Sequence, residues 1–465
     1  MSARKRLAVG VSIPAVVLFV GFLVALMLPS NLFVMGEALD GLGFLGGRRR
    51  IEGLLPVPPS PPPPLRFVNG KLWDAAGGLR DNTGLATRDG LIAQEASPGE
   101  RIIDVSGMTI LPGLIDMHVH ALGGTFADEM MIGNGVTSAR DLGSHLEGIL
   151  ARRDSATPRP RPRLFVTGPY LISQDTFSDQ DVGAPDAASA AEVVERFAEA
   201  GVDGIKVHTG IDRETLETVV RKAHERGLWV AAHLGPVDAV EAAETGVDTI
   251  EHASGIEWDG DAADGDLVAT LVSHGVAVTP TLVVAEHAFT IRSLSGPDNP
   301  MLEYFPWMLR RAWIVSQLAN ASAGELDPQR VRMLRERLDR IKRFTGSFHH
   351  AGGRILAGTD SPAFLVAPGF DMHRELELLV ESGLGVGDAL AAATREAAAA
   401  LGRASDLGGL APGMRADLIV IDGDPFSHPR GISVTRRLVL VVKDGHIVLD
   451  RLQLTSTGGR SRFDP

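Results

Sequence analysis

The chain has 465 residues, 44% hydrophobic and 22% charged, a balance that excludes a disordered segment and predicts one large folded domain with an appendage or a few ordinary domains. A formal net charge of −13 repels phosphate backbones, so no nucleic acid is expected as a partner. With no cysteine, disulfides and thiolate chemistry are excluded, and His, Asp, Glu and Lys are left to hold any metal.

Behind the basic MSARKR, Leu7 to Leu28 is a run of 22 uncharged, mostly apolar residues. As a helix it spans roughly 33 Å, against a bilayer core of about 30 Å. It is longer than the apolar region of a cleavable signal, and no small-x-small cleavage site is clear. Residues 1–28 therefore read as a cytoplasmic stub and an uncleaved transmembrane anchor, the alternative being a removed signal peptide and a secreted protein. Arg4, Lys5 and Arg6 favour a cytoplasmic N-terminus, and Arg48, Arg49 and Arg50 weaken that bias. The bulk of the chain then lies outside the cytoplasm.

Residues 29–64 form a Gly/Pro-rich linker whose PVPPSPPPP stretch, Pro56 to Pro64, is a stiff extended spacer, so folding is expected to begin near Leu65. LRFVNGKLWDAAGG reads as two strands around an Asn-Gly turn, and GLATRDGLIAQEA as a further hairpin with Asp-Gly at its tip. ADLIVIDGDP and RRLVLVVKDGHIVLDR repeat that style near the other end. The two flanks, 65–112 and 408–455, are expected to pair into one small β-sandwich.

From 113 to 407 short apolar strands alternate with helical stretches, the signature of an α/β fold built on a parallel sheet. Eight strand segments are present, GLIDMHVH, VTSARD, LFVTGP, GIKVH, WVAAHL, DTIEHA, AVTPTLV and RILAGTD, which predicts a closed (β/α)8 TIM-like barrel. ASAAEVVERFAEAG, RETLETVVRKAHERG and PVDAVEAAETG read as helices ending at glycine. The stretch Met301 to Gly353 is too long for one helix and is expected to cover the barrel mouth.

Catalytic groups of such a barrel gather at the C-terminal ends of its strands. Strand one ends His118-Val119-His120, and the period of two turns both imidazoles to one face. Strand four carries Lys206 and His208, strands five and six end in His233 and His252, and strand eight ends in Asp360. Singly, each has an ordinary structural reading: a satisfied histidine, a buried ion pair for Lys206, a turn aspartate for Asp360. Together they converge on one volume.

The order His-x-His, Lys, His, His, Asp resembles the metal-dependent amidohydrolases, in particular their imidazolonepropionase-like and Xaa-Pro dipeptidase-like branch. The likeness runs from about Leu65 to Arg451 and includes LGGLAPGMRADLIVIDGDP. It implies a binuclear centre in which His118, His120 and Asp360 hold one divalent metal and His233 and His252 the other. Lys206, carboxylated by CO2, would bridge them. Zinc is the first expectation from imidazole and oxygen ligands, with manganese, iron or cobalt open. The resemblance further implies a metal-bridging hydroxide that attacks a small-molecule amide, with Asp360 shuttling the proton. His208 and Tyr170 are candidates for binding the carbonyl or a substrate carboxylate. The chain departs from the branch after strand three, where GPYLISQDTFSDQDVG replaces a Gly-Gly-His stretch, which puts the substrate in doubt. His373, His349 and His350 read as structural.

The reaction read here cleaves an amide-type C–N bond of a dipeptide, an N-acyl amino acid or a cyclic amide. A mononuclear deaminase or ring-opening hydrolase of imidazolonepropionase type, and a catalytically inactive barrel scaffold, are the competing readings. Self-association into a homo-oligomer is left open.

Overall fold

The computed structural model describes residues 50–452 apart from short stretches, of which 316–327 is the longest. Leu7 to Leu28, read as an anchor, lies outside the described residues. Among those described, no helix is long and apolar enough to cross a membrane.

The first flank forms β1 (Leu65–Val68), β2 (Lys71–Asp74), β3 (Gly78–Asp81), β4 (Leu85–Arg88), β5 (Leu91–Ala93), β6 (Arg101–Asp104) and β7 (Met108–Pro112). The last flank forms β18 (Leu418–Asp422), β19 (Leu438–Lys443) and β20 (His446–Asp450). They make two sheets, ordered β5-β4-β1-β6 and β20-β19-β18-β7-β2-β3. β1 shows why they face each other: Leu65 and Phe67 alternate with half-buried Arg66 and Val68, and pack with Ile110, Leu418, Val420 and Leu440 between the sheets. β7 runs antiparallel to β18, so the two ends of the chain share one sheet.

Two expectations fail here. β1 and β2 do not pair: β1 bonds β4 and β6, and β2 bonds β3 and β7, so the Asn-Gly turn, with Asn69 at φ 66°, carries the chain from one sheet to the other. The hairpin is instead β2–β3. Folded structure also begins before Leu65. Leu54 bridges Leu449, the Leu55 amide donates to the Val448 carbonyl at 2.9 Å, and Ile51 is buried against the body of the protein. The apolar residues of IEGLL outweigh the linker character of the prolines that follow, because burying them against β20 gains more than leaving them hydrated.

The barrel strands are β8 (Leu114–Val119), β9 (Val136–Asp141), β10 (Arg163–Val166), β13 (Gly204–Val207), β14 (Trp229–Ala232), β15 (Thr249–Glu251), β16 (Ala277–Thr279) and β17 (Arg354–Ile355). All neighbours are parallel. The ring closes where Met117 N donates to Ala357 O at 2.9 Å, Asp360 N to His118 O at 2.7 Å and His120 N to Ser361 O at 2.8 Å. Asp203 N to Val166 O, 2.8 Å, joins the two arcs on the other side. Two short strands, β11 (Tyr170–Ile172) and β12 (Asp181–Gly183), occupy the departure after strand three.

Strand seven is shorter than its apolar run suggests. Pro280 cannot donate to the ladder, Thr281 turns the chain at φ 47°, and Leu282 and Val283 open the helix Leu282–Leu294. Buried Glu375 accepts both of their amides, at 3.0 and 2.7 Å, and so caps that helix. The long stretch after it contains the 3₁₀ turn Pro300–Tyr304 and the helix Pro328–His350.

Candidate active site

The C-terminal ends of strands one, four, five, six and eight bring the ligand-type side chains into one place. His118, His120 and Asp360 each present a donor atom within 4.8 Å of the others. Asp360 Oδ1 lies 3.1 Å from His120 Nε2 and 3.5 Å from His118 Nε2, and His252 Nδ1 lies 3.9 Å from Oδ2. Ring centroids step outward from His118 to His252 (4.5 Å), His252 to His233 (4.7 Å), His233 to His208 (4.3 Å) and His208 to Tyr170 (4.8 Å).

Backbone geometry serves this convergence. His252 and Asp360 both sit in the left-handed region, at φ 60° and 61°, which costs on the order of 1–3 kcal/mol per residue. Gly358 permits the approach of strand eight to strand one, since a Cβ there would come within 2.9 Å of the His118 backbone nitrogen and Cβ.

The electrostatics favour the neutral imidazole at every one of these histidines but His120. Burial pulls His118 and His252 well below the usual histidine range, and burial with Lys206 lowers His233 to about 3 and His208 to about 4. His120 moves up: burial works against it, but the hydrogen bond and charge of Asp360 outweigh burial. Lys206 is 1% exposed, and its Nζ makes no hydrogen bond among the described residues. Burial lowers its ammonium to about 8, with Glu251 opposing the shift.

Glu251, Arg140 and Asp116 belong to this site and are missed by a reading of strand ends alone. Glu251 Oε2 accepts from His118 Nδ1 at 2.7 Å, and Arg140 donates to Oε1 at 2.6 Å, with all three residues buried. Burial pushes Glu251 up, but Arg140 and Lys206 hold it below the usual carboxylate range. A carboxylate only accepts, so His118 carries its proton on Nδ1 and turns the Nε2 lone pair toward Asp360. Asp116 accepts from the Thr359 hydroxyl at 2.7 Å and the Thr359 amide at 3.0 Å, which ties strand eight to strand one. The period of two that relates His118 and His120 extends back to Asp116 and was an available signal. His373, His349 and His350 stand elsewhere: His373 pairs with Thr435 Oγ1 at 3.0 Å, His349 faces Asp388 at 3.5 Å and His350 meets the Gly346 carbonyl at 2.6 Å.

Imidazoles held neutral at His118, His233 and His252, His120 beside the Asp360 carboxylate, a carboxylate orienting His118 and a buried amine with no hydrogen bond among the described residues fit a divalent metal centre. Residues 109–448 match the profile of the amidohydrolase family. The chain belongs to this family. Amidohydrolases are metal-dependent hydrolases acting on C–N bonds. An uncharacterised protein of Mycobacterium tuberculosis (strain ATCC 25618 / H37Rv) is 28% identical over 247 residues, covering 47% of this chain and 63% of the relative. The chain thus matches under two thirds of that relative's length. The imidazolonepropionase of Salmonella arizonae is 25% identical over 399 residues, 75% of this chain and 88% of the relative. A crystal structure of a Xaa-Pro dipeptidase with bound methionine in its active site aligns with a TM-score of 0.64 at 21% identity, covering 83% of this amidohydrolase and all of that chain.

Glu251→Gln is expected to weaken metal binding about 10–100-fold by releasing His118. Leaving Arg140 buried without its anion costs about 3–5 kcal/mol of stability. Chelator competition and thermal unfolding check the pair; unchanged metal affinity would refute the orienting role.

Proposed function

We propose that this protein is a metal-dependent hydrolase of amide-type C–N bonds in small molecules, built on a binuclear centre. One observation carries the reading: the fully buried Lys206 amine makes no hydrogen bond among the described residues and stands close enough to His118, His208, His233, His252 and Asp360 to interact with each through its charge. A structural lysine in that position would be paired. His118, His120 and Asp360 would hold one cation, and His233 and His252 the other, with zinc the expected metal. The neutral Lys206 amine would add to CO2 and lose a proton, giving a carbamate that bridges the two. When bound, the cations lower the pKa of water and polarise a carbonyl. Asp360 takes the proton of the attacking water and delivers it to the departing nitrogen, and His208 and Tyr170 orient the scissile carbonyl.

The tight grouping of His118, His120 and Asp360 also suits a single ion, which is the specific support for a mononuclear deaminase or ring-opening reading. Metal counting separates the two. Exhaustive chelation is expected to abolish hydrolysis and readdition of zinc to restore it, at about two equivalents per chain. One equivalent at full activity selects the mononuclear reading, and activity surviving chelation removes both.

We also propose that Leu7 to Leu28 anchors the protein in a membrane with the barrel outside the cytoplasm. Membrane fractionation and protease protection of intact cells test this; a barrel that is shielded or freely soluble overturns it.

A further inference from the structure

The helix Pro328–His350 directs Leu334, Arg337 and Ile341, at i, i+3 and i+7, onto one face. That face closes a cavity of ≈330 Å³ over the candidate centre, with His252 and Asp360 also in its lining. Its volume is at the small end of the ~300–1,000 Å³ typical of small-molecule sites. Val284 and Phe364, with Leu334, give it an apolar wall. Arg337 is the polar element that this helix adds near the metal end, and Arg330, at i−4, extends the same face with a second cation.

Arginines elsewhere on this acidic chain are commonly engaged: Arg213 pairs with Glu217 and Glu244, and Arg374 with Glu286 and Glu381. Among the described residues no carboxylate lies within ion-pair distance of Arg337, which is exposed beside the cavity. A guanidinium presents a planar fork that matches a carboxylate in two parallel hydrogen bonds. His233 also lines this cavity, and His208 and Tyr170 do not, so Arg337 adds a cation at a part of the mouth that those two residues do not line.

We infer that Arg337 binds a free carboxylate of the substrate, so that the amides taken are N-acyl amino acids or dipeptides with an apolar side chain rather than neutral cyclic amides. This rests on the amide-hydrolase reading. With the scissile amide against Asp360 and the apolar side chain on Val284, Leu334 and Phe364, the carboxylate reaches the helix that carries Arg337.

The test compares N-acetyl-leucine with N-acetyl-leucinamide on the zinc-loaded full chain, alongside calorimetric titration of leucine and leucinamide. Wild type is expected to favour the carboxylate by about 10–100-fold in kcat/KM, the scale of a charge-assisted pair. Arg337→Gln should collapse that ratio to within about threefold of one, chiefly through KM, with Arg337→Lys recovering part of it. Arg335→Gln, on the same helix but stacked over Phe289, should keep it. Equal rates in wild type, or a ratio that survives Arg337→Gln, overturn the inference. If no amide is cleaved at all, the hydrolase reading fails, and calorimetry still decides: leucine binding weakened about tenfold or more by Arg337→Gln supports carboxylate binding, and unchanged binding sinks it.

Discussion

Asp360→Asn is expected to lower kcat by roughly 10²–10⁴-fold with little change in KM, the range over which a positioned proton carrier acts. Asparagine is the informative replacement because Asp360 sits at φ 61° with its amide bonded to the His118 carbonyl. Asparagine tolerates the left-handed conformation about as well as aspartate, whereas alanine would add backbone strain to the chemical loss. The amide oxygen can still face His118 and His120, but it cannot take a proton from water at neutral pH. Metal content measured on the same preparation separates ligand loss from proton-transfer loss. A variant with near-normal metal and a collapsed kcat supports the shuttle, and one with normal kcat removes Asp360 from it.

The candidate ligands were legible because a barrel strand is short and ends in the mouth, so a polar residue closing an apolar run is easy to see. His118 and His120 stand out against GLIDM, and Lys206 against Ile205 and Val207. What escaped was whatever depends on a partner distant in sequence. Glu251 reads as one more strand residue until Arg140, 111 positions away, and His118, 133 away, are found against it. The Asn-Gly turn after Val68 encodes a local reversal of direction and says nothing of which sheet each strand joins, which is why β1 and β2 part company. Ile51 and Leu54 were masked by the proline run behind them. Arg337 could be placed on a helix from its spacing with Leu334 and Ile341, but the cavity it faces exists only once that helix is set over the barrel mouth.

Lys206→Ala is expected to remove metal and activity together, with kcat/KM down at least about 10³-fold, since both ions would lose a shared ligand and the attacking water its activation. Two readings of this lysine make opposite forecasts for the metal-free protein. If Lys206 were a structural ion pair, deleting it would strand a buried anion and cost about 3–5 kcal/mol. Among the described residues its Nζ has no hydrogen-bond partner, and Glu251 is already engaged by Arg140, so no anion is stranded. Lys206→Met, which preserves volume, should therefore leave metal-free unfolding unchanged or shift it upward, while abolishing the second equivalent of metal. Short carboxylates such as propionate should restore part of the Lys206→Ala activity by entering the vacated space and supplying the bridging oxygens. Because the amine must be neutral to capture CO2, and burial sets its ammonium at about 8, carbamate loading of metal-free protein at fixed dissolved CO2 should increase as pH rises through that value. A Lys206→Ala protein that retains two ions and full turnover would show that the amine is a bystander and that the cations, if present, are held by histidine and aspartate alone.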